Sequence, residues 1–396
     1  MAERHAPSSA QGYGAAPRPR GGGIARRLRP AAVFAMIWDV AICGGGPAGL
    51  ATAIRAAEAG FATVLYERAE DVPDKACGEG LMPRGLAALS RLSVLRGIDP
   101  AACAPFRGIR YVQEDGACVE ARFRDGEGLG IRRLALERAL RERALAAGAE
   151  LRRGAVRKVV PATDVAAVET DSGSIEARLA VAADGVNSPL RKAAGLDGAA
   201  GAPRRFGLRR HVQMAPWTDF VEIHWSDGCE AYATPVGPET VNLAFLWHGA
   251  FAHPTWESLL DRFPRLRDRV DGAPAGSEER GAGPLAQAAR ARFANRLALV
   301  GDAAGYVDAI TGQGLTLALL SAERLLAALP RNLADGEALS RSLRRYDASL
   351  RGEWIRYALP ARSLLALARR PEWRKRGVRL CAQHPALFAA LLRAVA

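Results

Sequence analysis

The sequence predicts an α/β fold in which a helix-flanked parallel sheet alternates along the chain with an antiparallel sheet, followed by a run of C-terminal helices. Three observations predict it. A glycine-rich stretch, Gly44 to Gly49, joins a short apolar strand to a helix; a second, Gly301 to Gly314, stands about 250 residues later in the same kind of setting; and between them residues 206–247 alternate apolar and polar side chains with period two. At 396 residues the chain exceeds one ordinary core, so two intertwined domains or one large α/β body are expected.

The first element is Trp38-Asp39-Val40-Ala41-Ile42-Cys43, a short buried strand that runs straight into Gly44-Gly45-Gly46-Pro47-Ala48-Gly49. A helix over 47–59 follows, and a second strand over 62–66 ends in Glu67 and Arg68. This is the Rossmann-like order. Gly44 allows the tight turn, Gly46 lets backbone approach a pyrophosphate, Gly49 permits close helix packing, and the helix N-terminus favours anions. Glu67, about 20 positions beyond the glycines, is placed to bind ribose hydroxyls. A polar loop, Asp74-Lys75-Ala76-Cys77-Gly78-Glu79-Gly80-Leu81-Met82-Pro83, then leads into a helix over 84–92.

A CGEGLMP loop after a glycine turn and acid of this kind resembles the flavoprotein family that includes para-hydroxybenzoate-hydroxylase-type monooxygenases, flavin halogenases and geranylgeranyl reductases. The resemblance implies FAD, held by a GR2-type domain, with the loop around Gly78 beside the isoalloxazine ring. It also implies that Arg133, opening a helix with apolar positions Leu136, Leu140 and Ala144, contacts the flavin, and that the backbone at Val156 meets the adenine. Asp184 and Gly185 match the family's DG motif within Asp184-Gly185-Val186-Asn187-Ser188-Pro189-Leu190-Arg191; a mere cap for the short helix that follows is the alternative for Asp184, but the full DGxNSxxR string favours the cofactor role. After the strand Leu297-Ala298-Leu299-Val300, the resemblance gives Asp302 the ribityl chain and pyrophosphate. Gly301 precedes Gly312, Gln313, Gly314 and Leu315, which start a long helix to Leu329 and bring its N-terminus to the pyrimidine edge, where the positive end stabilises charge on reduced flavin.

The intervening residues are expected to choose the substrate. Val221, Ile223 and Trp225 share one strand face, Phe220, Glu222 and His224 the other; Asp227-Gly228 is a hairpin turn into strands over 230–234 and 241–247. The pair 108–112 and 117–123, joined by Asp115-Gly116, is expected to extend this sheet. Candidate substrate-side groups are Tyr232, His224, His211 and Glu222, with the wet face undecided. Cys77 is a further candidate, because geranylgeranyl reductases carry a cysteine near the flavin; buried, inert cysteine is the alternative. The domains expected are FAD-binding over 36–105, 131–200 and 285–330, sheet over 106–130 and 201–284, and helical over 331–396. Within the last, helices over 339–351 and 361–370 are expected to be separated by Pro360.

Composition sets further bounds. Formal net charge is +13, and residues 1–35 hold six arginines against one glutamate in a Pro, Gly and Ala background, read as a disordered extension with Met36 a plausible initiator. Without interleaved aromatics or a binding fold it is not read as a nucleic-acid arm. No run of 18 apolar residues occurs, and the six cysteines lack CxxC or zinc-like spacing, pointing to reduced thiols in a cytoplasm and no metal. The C-terminal helices are expected to pack on the body in preference to grazing anionic lipid; the oligomeric state is left open.

The resemblance implies an NAD(P)H-dependent monooxygenase that hydroxylates an aromatic, quinone or polyketide-like molecule through a flavin hydroperoxide, with NAD(P)H bound transiently, since no second glycine-rich dinucleotide motif is present. The alternatives are a prenyl-chain reductase, to which the CGEGL loop leans while EAYATPVG replaces the expected YxWxFPK-like signature, and a non-catalytic flavin-binding protein. A halogenase is disfavoured: no WxWxIP occurs, and Ala87 stands where the reactive lysine belongs.

Overall fold

Strand Trp38–Cys43 shows no alternation because both its faces are covered, as parallel strands require. In the computed structural model, which describes residues 36–199, 204–249, 251 and 254–395, it is central to an eight-stranded sheet. Thr63–Glu67 and Gly173–Ala182 flank it in parallel, Glu150–Arg153 lies outside the former, and Leu297–Leu299 lies parallel outside the latter. Val156–Pro161 and Ala166–Thr170 form an antiparallel meander with Gly173–Ala182. Helix Pro47–Glu58 packs between Arg133–Ala146 and Gly314–Ala328. Its alanines 48, 51, 53 and 56 are buried, and small side chains are what let three helices close over one sheet.

The second sheet has seven strands, in the order Arg280–Ala282, Arg205–Gln213, Thr240–His248, Cys229–Gly237, Phe220–Ser226, Gly108–Val112 and Cys118–Arg122. The early hairpin does join it, and Gly108–Val112 lies parallel to Phe220–Ser226 while the other pairings are antiparallel. Tyr232 stands opposite Ile223 and Ala244. Val221, Ile223, Trp225 and Tyr232 therefore share one face and one apolar cluster with Tyr357 and Phe388. On the reverse face Leu243, Phe245 and Trp247 form a separate core with helices Trp256–Leu260 and Pro264–Val270. A small three-stranded sheet of Gly80–Leu81, Gly128–Ile131 and Cys103–Phe106 lies between them in the chain.

The C-terminal helices depart from expectation at one point. Gly336–Ala368 is a single helix that continues through Pro360. Pro360 has no N–H to give the preceding turn, but Tyr357, Ala358, Ala361 and Ala368 are buried around it and hold the helix together by packing. Pro371 does start a new helix, Pro371–Gln383, followed by Pro385–Val395. These helices belong to the body. Leu339, Leu343, Tyr346 and Leu350 enter the parallel-sheet core, and Arg374 is fully buried, bonding Gln113 Oε1 at 3.2 Å, the Ser226 carbonyl at 3.2 Å and Asp227 at 3.0 Å. Residues 36–396 accordingly form one compact unit, and the N-terminal extension lies outside the described residues.

Candidate active site

The two glycine stretches meet. Gly301, with φ +57°, opens a short turn to Ala304, and a Cβ there would come within 2.6 Å of the Ala48 methyl. Gly44, at φ +116°, has its Cα against the Ala183 carbonyl, and a Cβ on Gly49 would collide with the carbonyl of Gly44. By contrast a Cβ on Gly46 meets nothing within 4 Å, and the same holds at Gly78, Gly185 and Gly312. Gly44 and Gly49 are thus glycines for packing, whereas the other four border open space.

Glu67 ends its strand beside this turn. Its Oε2 accepts from Gly45 N at 2.7 Å and its Oε1 from Ala69 N at 3.0 Å, leaving each oxygen a lone pair for a ribose hydroxyl. A cleft of about 140 Å³ next to it is lined by Gly45, Glu67, Ala69 and Glu137 among others. Gly154 N donates to the Glu67 carbonyl, which brings Val156, two residues on, to the same end. Arg68 is exposed.

Asp184 takes the capping role: its Oδ1 accepts from Ser188 Oγ at 2.6 Å and its Oδ2 from Leu190 N at 3.1 Å. Arg191, fully buried, donates to Asp197 at 2.6 Å, to the Val186 carbonyl at 3.1 Å and to the Ala303 carbonyl at 3.2 Å. It ties the Asp184-Gly185 turn to the Gly301 turn, a role whose sole sequence signal was its place at the end of the DGxNSxxR string. Asp302 has no donor on its carboxylate among the described residues. Burial pushes it up to about 6, against the pull of Arg133 and Lys75.

Arg133 joins Asp302 to the Cys77 loop. Its guanidinium pairs with Glu137 and with the Cys77 thiol, and its Nε is buried without a partner. Burial pushes the Cys77 thiol up despite Arg133, so the sulfur holds its proton near neutrality. The loop itself is locked to the antiparallel sheet. Asn242 Nδ2 donates to the Cys77 carbonyl at 2.9 Å, and Arg209 pairs with Asp74. Glu79, at φ +58°, is 2 % exposed; its Oε1 accepts from Arg133 N at 2.8 Å and its Oε2 lies 2.6 Å from His211 Nε2. The Glu79 carboxylate accepts the proton of His211 Nε2, and Nδ1 faces Ser277 Oγ at 2.8 Å and Arg209 Nη1 at 3.3 Å. His211 is thereby a positioning residue. Glu79 was not singled out from the sequence, where it reads as one polar residue in a loop.

Two other candidates belong to the antiparallel sheet. His224 lies on the sheet face opposite Tyr232, 3.1 Å from Glu222, which also accepts from Trp217 and Arg110 and is held down at about 2 by these bonds in spite of burial. A side chain on that face cannot reach the Cys77 loop. Tyr232 is on the inner face; its hydroxyl donates to the Ile310 carbonyl at 3.3 Å, and burial raises it well above the ordinary phenol range. Beyond the late glycines, Gln313 is buried at the start of Gly314–Ala328, while Leu315 packs at the edge of the parallel-sheet core. Thr311, Gln313 and Thr316 line a cavity of about 280 Å³ together with Tyr357, Pro360 and Arg393. The hydroxyls of Thr311 and Thr316 are buried there without partners among the described residues.

The open space before Gly46 and Gly312, the undonated Asp302 and the orphaned Arg133 Nε fit a dinucleotide flavin. Gly44 to Gly49 would hold its pyrophosphate, Glu67 its ribose, Asp302 its ribityl chain and the N-terminus of Gly314–Ala328 its ring. Fold and site define a flavoprotein oxidoreductase. The FAD binding domain family model matches residues 38–352, and the chain belongs to that family. It is 26% identical to digeranylgeranylglycerophospholipid reductase 2 of Methanopyrus kandleri, over 84% of this chain and 87% of that protein. It is 28% identical to the menaquinone reductase of Mycolicibacterium smegmatis, over 71% of this chain and 73% of that one. Among solved structures, the flavin-dependent halogenase CmlS superposes with a TM-score of 0.76 at 21% identity, covering 86% of this chain and 68% of that chain, a likeness of fold. The protein is an FAD-dependent oxidoreductase. Among the described residues no helix is long and apolar enough to cross a membrane, and no group of side chains is suited to a metal.

Proposed function

We propose that the protein reduces carbon–carbon double bonds of a prenyl chain, with NAD(P)H or another two-electron donor as the transient reductant. The observation that carries this reading is Cys77: a protonated thiol on the loop beside the flavin position, gripped by Arg133 and by the Asn242 and Glu79–His211 anchors. Relatives named as prenyl-lipid and menaquinone reductases over most of the chain support it. Bound FAD supplies hydride chemistry. Saturating an alkene takes a hydride at one carbon and a proton at the other; in this reading the Cys77 thiol would give the proton, and Arg133 would steady the thiolate left behind. The loop and the inner face of the antiparallel sheet keep water from the same atoms.

The test is anaerobic turnover of a geranylgeranyl substrate with a supplied reductant, read by mass. Each double bond reduced adds two hydrogens. Cys77→Ala is expected to slow turnover roughly 100-fold, as loss of a general acid does, with flavin retained. The hydroxylation expected from the sequence is the competing reading: incorporation of oxygen from air, with NAD(P)H consumed and no saturated product, would replace the proposal.

A further inference from the structure

We infer that the outer faces of the C-terminal helices form a docking surface for an anionic lipid bilayer. Residues 336–396 hold thirteen Lys and Arg against four acidic residues; Arg374 is buried and Lys375 and Arg379 pair with Glu114 and Asp115, while Arg356, Arg362, Arg369, Arg370, Arg376 and Arg393 are exposed and have no ion pair among the described residues. The same helices carry most of the large apolar side chains that stand exposed: Ile355 and Leu359 one turn apart on Gly336–Ala368, Trp373 and Leu380 on one face of Pro371–Gln383, and Leu387 and Leu391 one turn apart on Pro385–Val395. Leu359 is 66% and Trp373 62% exposed, and it is the grouping of such side chains, not any one of them, that marks a surface. Apolar side chains among arginines are the composition of a helix that lies in a lipid interface.

The same helices border the cavity: Arg356 and Pro360 line its wall on one helix and Arg393 on another. Charge argues against other occupants: a second copy brings the same positive face, and residues 1–35, with six arginines and one glutamate, bring the same sign.

The inference deepens the proposed function, since a bilayer is where a prenyl chain resides, but its test requires no turnover. The full flavin-loaded chain is spun with phosphatidylcholine vesicles and with vesicles of phosphatidylcholine and phosphatidylglycerol. Binding to the anionic vesicles is expected, weakened about tenfold by high salt. The double variant Leu359→Asp, Leu391→Asp is expected to weaken it at least about tenfold with flavin absorbance and melting unchanged. If that variant misfolds, Trp373→Glu with Leu380→Glu asks the same question. No binding, equal binding to neutral vesicles, or a lipid-free dimer that these variants dissociate would each overturn the inference. Vesicle binding without double-bond reduction would remove the proposed function alone, and reduction without vesicle binding would remove the docking surface alone.

Discussion

Asp302 has a testable electrostatic signature. Its folded value, about 6, lies above the ordinary 3.8, so the folded state holds the proton more tightly than the unfolded chain does. The stability of the flavin-free protein is therefore expected to fall as pH rises from about 4 to about 6, and Asp302→Asn is expected to flatten that decline. Melting temperature against pH for both proteins decides it; parallel curves would refute the assignment. Asp302→Ala is expected to weaken FAD binding about 10- to 100-fold, the loss of a charge-assisted acceptor. The glycines separate in the same way. Gly46→Val should fold with unchanged melting and lose flavin, because its Cβ meets open space; Gly49→Ala should fail at the folding step, because its Cβ meets the Gly44 carbonyl. Circular dichroism and flavin absorbance of the two variants distinguish the roles. His224→Gln, on the outer face, is expected to leave turnover within about twofold, since no transition-state contact is lost.

At the scale of elements, the Cys77 loop is held by what it docks on. His211→Ala leaves Glu79 Oε2 buried without its partner and is expected to cost on the order of 3 kcal/mol, read from a denaturant midpoint, and to loosen flavin binding as well. A loss of stability with flavin affinity intact would show that the pair supports the sheet and not the loop. This also marks where sequence reading stops. Strand Trp38–Cys43, helix Pro47–Glu58 and the strand that ends at Glu67 were legible because tight turn, helix start and strand end are local demands, met by residues within about 20 positions. The hairpins at Asp115-Gly116 and Asp227-Gly228 were legible for the same reason. Which face of Phe220–Ser226 is turned inward was not, because both faces are buried and alternation of polarity cannot choose between two buried faces. Glu79–His211, 132 residues apart, depends on the docking of two sheets. Pro360 misled in the opposite sense: a local breaker was overridden by the packing of Tyr357 and Ala361.

For the whole molecule, the C-terminal helices are a structural part of both sheets. Removing residues 369–396 would uncover Tyr111, which stacks edge-on against Phe388 at 4.9 Å, and would take Arg374 from Gln113, Ser226 and Asp227. The truncated protein is expected to melt several degrees lower or to aggregate, as loss of buried area and of a buried cation's partners dictates; an unchanged melting temperature would show the helices to be an appendage. The meeting of Gly301 with Ala48 has a consequence for how the protein is made. The strand Trp38–Cys43 and the helix after it leave the ribosome well before their neighbour across the cofactor cradle. A nascent polypeptide arrested before Gly314 has emerged should therefore capture no flavin, however well its opening βαβ unit has formed, and FAD would enter only once that later turn is in place.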